Sequence, residues 1–326
     1  MMKKTKSGFL TAAAVLSALA LTLAGCPQNP EEGGDRKDKL PVPPAFNDTA
    51  KDYYNVNASI PAKTTEPQIA AFKMSTLLSY EIWWPVRDWA EKPGADYTFA
   101  NPGVMAQHVS DPASGTFSGK PDTKSAADGG MYDNKVPGTN DTISGLCNKP
   151  VCDVSLRDAI IWCNALSESE GLDPVYRDSS GNILLDATKA VETLIDPEQM
   201  KGKNGYRLPY AEEWEYALLA GGADITQAGI PGIDGKLGMY ATSRTTTVSK
   251  AGYTNTWGLP DMLGNAWEWV LTEGTGDNAG KYLLMGGDFN EPESSFTSTA
   301  PRKYVAPTEI GGRGQAQSFR VMLNNK

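Results

Sequence analysis

Beyond residue 222 this chain never regains a helical period, and that limits what it can fold into. Short apolar pieces at 259–270, 282–285 and 319–323 alternate with glycine-marked turns. The pattern reads as a strand-poor, loop-heavy half. A fold of this kind needs a few large side chains as anchors, and eight tryptophans can supply them. With 40% hydrophobic and 21% charged residues, the 326-residue chain is globular in composition and not a disordered tail.

Three helices are predicted. Residues 79–92 place Ile82, Trp83, Val86 and Trp89 at helical spacing, with Pro85 inside, so this helix is either kinked or starts late. The pattern over 155–170 is the clearest. Ser155 caps it, Asp158 follows three residues on, and Gly171 ends it. Leu156, Ala159, Ile160, Cys163 and Leu166 make one apolar face. Residues 173–186 read as a hairpin around a Ser-Ser-Gly-Asn turn. The third helix, 209–220, opens on Pro209, carries Glu212 and Glu213 in its first turn, buries Trp214, Ala217 and Leu218, and stops at Gly221 and Gly222. Without a repeat or a second linker, 48–326 is read as one domain.

The N-terminus points to export. Lys3, Lys4 and Lys6 precede an apolar stretch over 8–24 that closes on Leu23-Ala24-Gly25-Cys26. A short apolar run behind lysines is a signal segment, too short to span a bilayer. Its ending resembles the bacterial lipobox, which implies removal of 1–25 and a lipid on Cys26. Residues 27–47 are rich in proline and charge and read as a tether, so 26–47 would hold the domain off a membrane. The partner implied is a membrane, through that lipid. A net charge of −9, made more negative once the three lysines are removed, argues against nucleic acid.

The usual catalytic constellations are missing. His108, the sole histidine, lies in a polar stretch with no nucleophile elbow. Gly311, Gly312 and Gly314 have no following Lys-Ser/Thr, so no phosphate loop is indicated. Once Cys26 is lipidated, Cys147, Cys152 and Cys163 remain. Cys163 sits at an apolar helical position and reads as core, whereas a Cys147–Cys152 bridge stays open.

Five short motifs follow one another in fixed order: 148–168 (NKPVCDVSLRDAIIWCNALSE), 205–222 (GYRLPYAEEWEYALLAGG), 257–270 (WGLPDMLGNAWEWV), 284–289 (LMGGDF) and 318–323 (SFRVML). Together they resemble the formylglycine-generating-enzyme (sulfatase-modifying-factor) family. The resemblance implies an α+β, C-type-lectin-like fold: a small twisted mixed sheet, two main helices, long irregular loops, and Trp214, Trp267 and Trp269 in the core. Catalysis in that family is copper-dependent and uses a cysteine pair just after the Gly-Gly motif. Here 286–319 contains no cysteine, and every cysteine lies before residue 164. A thiolate has no ready substitute as nucleophile and soft ligand. The resemblance therefore implies the fold without the oxidase. No cofactor is required, but the family also implies a structural calcium held by Asp261, Gly264, Ala266 and Glu268. The alternative is that Glu268 pairs with a backbone group or an arginine and no ion binds. The sequence leaves both open.

Segment 286–319 mixes aromatic, amide, hydroxyl and charged side chains without apolar periodicity, a composition suited to binding loops. Its framing resembles the variable proteins of diversity-generating retroelements, outer-membrane surface lipoproteins among them. That resemblance implies a diversified ligand site at Asp288, Phe289, Asn290, Glu291, Tyr304, Arg313, Gln315, Gln317 and Ser318, with Gly286, Gly287, Phe319 and Arg320 as scaffold. The ligand is unnamed, and dispersed polar and aromatic groups suit a protein better than a small sugar. The competing expectations are a copper-dependent formylglycine-generating oxidase and an adhesin with invariant loops.

Overall fold

The structure, a computed structural model, describes residues 36–43, 58–105, 150–223, 254–288, 291–292, 295–296, 299–311 and 316–324. Contacts divide the chain into residues 1–38 and 39–326. Of the first unit only 36–38 are described, in a helical turn at Arg36–Lys39. The signal segment, Cys26, His108 and Cys147 lie outside the described residues. The second unit reaches back into the stretch read as a tether, because Leu40 packs against the core and the Trp89 indole donates to the Pro41 carbonyl at 3.0 Å.

Helix α1, Tyr80–Ala90, neither starts late nor stops at Pro85. Ile82, Trp83, Val86 and Trp89 all turn inward and are buried. Helix α2, Leu156–Ser169, carries a complete capping box between Ser155 and Asp158. It is buried on nearly every side, not on one face alone, so it is a central element of the core. Asp158 does more than cap. Its fully buried carboxylate accepts from Ala100 N at 2.8 Å, Asn101 N at 3.1 Å and Asn101 Nδ2 at 2.7 Å, fastening that loop to the helix. Helix α3, Ala211–Leu219, begins after Pro209, with Glu213 accepting from Tyr210 N at 2.8 Å. Ala220 and Gly221, both at positive φ, end it.

Three sheets organise the rest. β1 (Ala58–Ile60), β2 (Phe72–Met74) and β9 (Met322–Asn324) form one, with β2 central. β3 (Val104–Met105) and β4 (Val151–Cys152) form a small second. The third has the order β7 (Arg302–Val305), β6 (Tyr282–Met285), β5 (Trp267–Glu273), β8 (Gln317–Ser318). It is antiparallel except for the β5–β8 pair.

The half expected to be strand-poor therefore holds the largest sheet. Its strands escaped detection because β5 and β6 are buried on both faces, so neither shows a sustained apolar–polar alternation: β6 is apolar throughout, and β5 buries Glu268 as well as its apolar residues. The predicted hairpin at 173–186 is reduced to one Arg177–Ile183 bridge around a tight turn.

Strand β5 separates two cores. Trp267, Trp269 and Leu271 face the cluster around Trp83, Trp162 and Phe319, while Val270 faces the cluster around Trp214 and Met285. In the first cluster, Trp83 and Trp162 stack with centroids 6.0 Å apart, and Phe319 meets both edge-on. Cys163, as expected, is core, and burial pushes its thiol far above the ordinary range, so it stays protonated and inert. Among the described residues no helix is long and apolar enough to cross a membrane.

Replacing Asp158 with Ala strands three backbone N–H groups, those of Ala100, Asn101 and Ser155, together with the Asn101 amide and the Ser155 hydroxyl. We expect a loss of about 3 kcal/mol in urea unfolding, with an unchanged denaturant slope.

Candidate functional site

One buried carboxylate connects three of the sequence motifs. Glu268 in β5 receives Arg320 Nε and Nη2, each at 2.6 Å, and the Trp214 indole N–H, also at 2.6 Å. Arg320 is fully buried, and its remaining donors reach Ser75 O at 3.0 Å, Pro260 O at 3.3 Å and Asp261 O at 3.3 Å. Thus the tryptophan of 205–222, the glutamate of 257–270 and the arginine of 318–323 meet at one point.

The same node decides how the calcium residues stand. Both Glu268 oxygens and the Asp261 carbonyl face cationic or N–H donors of the chain itself, and the Gly264 carbonyl accepts from Ala266 N at 2.8 Å. Glu268 thus pairs with an arginine, the first half of the alternative that the sequence left open. Among the described residues there is no cluster of three or more His, Cys, Asp or Glu suited to a metal.

The C-terminal segment leaves β6 through Gly286 and Gly287, at φ +92° and +74°. A Cβ on Gly286 would lie 3.1 Å from Met262 O and 3.3 Å from the Trp214 ring, so glycine is required for close approach as well as for conformation. Gly264 N donates to Gly286 O at 2.8 Å, tying the turn before β5 to the exit from β6. On the other side of the sheet end, Trp267 N donates to Ala316 O at 2.8 Å, and Ala316 N donates to the buried Asp288 carboxylate at 3.1 Å. Segments 286–288 and 316–318 therefore close on one another at the end of the sheet where β5 begins.

Of the nine sequence-derived binding positions, the five described fall at two places on the sheet. Asp288, Gln317 and Ser318 are brought together at that end, all buried. Glu291 is half-buried beside them and accepts from Ser295 Oγ at 3.2 Å. Tyr304 is exposed, and it sits on β7, the opposite edge of the sheet from β8. Three strand spacings separate the edges, roughly 14 Å. Phe289, Asn290, Arg313 and Gln315 lie outside the described residues.

Sequence reasoning missed Lys303 and Glu309. Lys303 Nζ stands 5.9 Å from the Trp267 ring centroid and 3.7 Å from Glu309, which also faces Gln317 Nε2 at 3.4 Å. These contacts lay the stretch 306–311 across the sheet. The signal was the alternation in 302–305, where Lys303 and Val305 share a face and Arg302 and Tyr304 share the other. Gln317 Oε1 and Ser318 Oγ are buried without a hydrogen-bond partner.

A model of the sulfatase-modifying factor enzyme 1-like domain matches residues 121–324. The chain belongs to this family. The fold is accordingly the α+β, C-type-lectin-like fold of formylglycine-generating enzymes, as the motifs implied. Chaperone protein LppX of Paenibacillus barcinonensis is 29% identical over 204 residues, which is 53% of this chain and 69% of that one. Among solved structures, CarF superposes with a TM-score of 0.55 at 20% identity, over 82% of this chain and 93% of its own, a likeness of fold. Treponema denticola variable protein 1 aligns at a TM-score of 0.47 and 20% identity, over 78% and 85% of the two chains.

Removing only one side of the buried pair leaves an uncompensated charge. Arg320→Met should cost about 3–5 kcal/mol in chemical denaturation, and adding Glu268→Gln should recover part of that loss.

Proposed function

We propose that this protein is a lipid-anchored bacterial surface protein that presents a diversified ligand site on a formylglycine-enzyme-type scaffold, without oxidase activity. The observation that carries the reading is a position, not a count. In a family whose catalysis needs two cysteines after the Gly-Gly motif, segment 286–319 contains none. Among the described residues the only thiols, Cys152 and Cys163, are buried. What the segment has instead is a pinned frame with polar and aromatic residues between, the arrangement by which rigid scaffolds present binding groups.

The proposed organisation is a signal peptide at 1–25, a lipid on Cys26, a tether within 26–47, and a binding domain over 48–326. No cofactor is needed for this activity. A protein ligand is favoured by the loop composition, and one relative is named a chaperone protein. The proposed placement is the outer membrane, facing outward.

Sequencing the surrounding locus tests diversification. A reverse-transcriptase gene and a near-identical template repeat differing at adenines are expected, and their absence leaves the invariant adhesin. Incubating the protein with copper, oxygen and a sulfatase-type cysteine peptide should yield no aldehyde by mass spectrometry; an aldehyde product returns the protein to the oxidases. Cys26→Ala should abolish palmitate labelling and release the protein from the membrane fraction. Substitutions at exposed Tyr304 should leave the melting temperature unchanged, whereas Gln317→Arg or Ser318→Arg should lower it, because each places a charge where the fold has no room.

A further inference from the structure

We propose that the cleft between helix α3 and the β1–β2 hairpin is a second binding site, taking a zwitterionic solute with an apolar body, of dipeptide size. The cleft encloses about 570 Å³, within the ~300–1,000 Å³ typical of ligand cavities. Its helical wall is the stripe Glu212, Glu215, Tyr216 and Leu219, at the i, i+3, i+4, i+7 spacing of one helix face. The opposite wall is the hairpin connection, where Lys63 and Ile69 exchange both backbone hydrogen bonds, at 2.9 and 3.1 Å. That exchange fixes the Lys63 backbone beside the cleft, and its ammonium stands 6.0 Å from the Tyr216 ring centroid.

The floor is apolar. Ile69 is buried, and Tyr216 and Leu219 are partly so. Tyr216 is held edge-on against Trp257, with centroids 5.1 Å apart. Gly221 allows Trp257 to approach, since a Cβ there would stand 3.3 Å from its ring.

The rim charges choose the ligand. Glu215 is already ion-paired with Arg302 at 2.6 Å. Glu212 and Lys63, on opposite walls, have no ion pair among the described residues, with each other or with another group. One anion and one cation, separated above an apolar floor, complement a molecule with an ammonium at one end, a carboxylate at the other and an apolar body between. The ammonium seats at Glu212, the carboxylate at Lys63 beside the Tyr216 ring, and the apolar side chain lies on Ile69 and Leu219. The cleft is on the α3 side of the sheet, apart from Gln317 and Ser318, so the proposal stands without the reading of the C-terminal loops.

Titration calorimetry of the full chain with the free-ended dipeptide Leu-Phe, beside N-acetyl-Leu-Phe-amide, tests it. The free dipeptide should bind and the capped one at least tenfold more weakly. Lys63→Met and Glu212→Gln should each weaken the free dipeptide about tenfold, at unchanged melting temperature, and Tyr304→Ser should change nothing. No heat with the free dipeptide at millimolar concentration, equal affinity for the capped form, or indifference to both charge variants would overturn the proposal.

Discussion

The ion pair of Glu268 and Arg320 is the constraint on which the rest of the structure depends. Two charges taken wholly out of water are tolerated only when their polar atoms are met, and here every guanidinium nitrogen and both carboxylate oxygens have a partner. The guanidinium reaches a carboxylate and three backbone carbonyls, while the carboxylate also takes the Trp214 indole. These partners come from four separate stretches of chain, at Ser75, Trp214, Pro260–Asp261 and Glu268. The node thus fixes α3, β5, the segment at Ser75 and the last strand relative to one another. The hydrophobic clusters could tolerate repacking, whereas this arrangement admits one register only.

From that node the C-terminal segment inherits its frame. Gly286 sits against the Trp214 ring, and Phe319 precedes Arg320 and plugs the cluster of Trp83 and Trp162. Both ends of the segment are therefore core. A side chain next to either end is drawn inward with the frame. Asp288, Gln317 and Ser318 are buried for this reason, and Tyr304, well away from both ends on an edge strand, is not.

Much of the fold was legible where structure is local. The capping residues of α2, the glycine stop of α3 and the inward tryptophans could be read from spacing alone. The sheet could not, because β5 and β6 are buried on both faces and lose the alternation that marks a strand. The motifs carried family and fold, but not the partners of their charged residues. Glu268 looked like a metal ligand as readily as half of an ion pair, since its partner Arg320 lies 52 residues away in the chain. For the candidate site, residue type was readable, but exposure was not. Whether a polar residue near the Gly-Gly turn faces water depends on how the chain after β7 crosses the sheet, and Lys303 and Glu309 set that path.

Strand β2 lies between β1 and β9, so residues 72–74 bond on one side to 58–60 and on the other to 322–324. Ser75 and Leu78 extend the seam, donating to the carbonyls of Val321 and Phe319. A chain laced in this way cannot close its core until residues 319–324 have been made and have returned to the start. Pairings over such long sequence separations are slow to form, because the whole intervening loop must be closed before any contact rewards it. During synthesis that core would stay open until residues 319–324 had emerged.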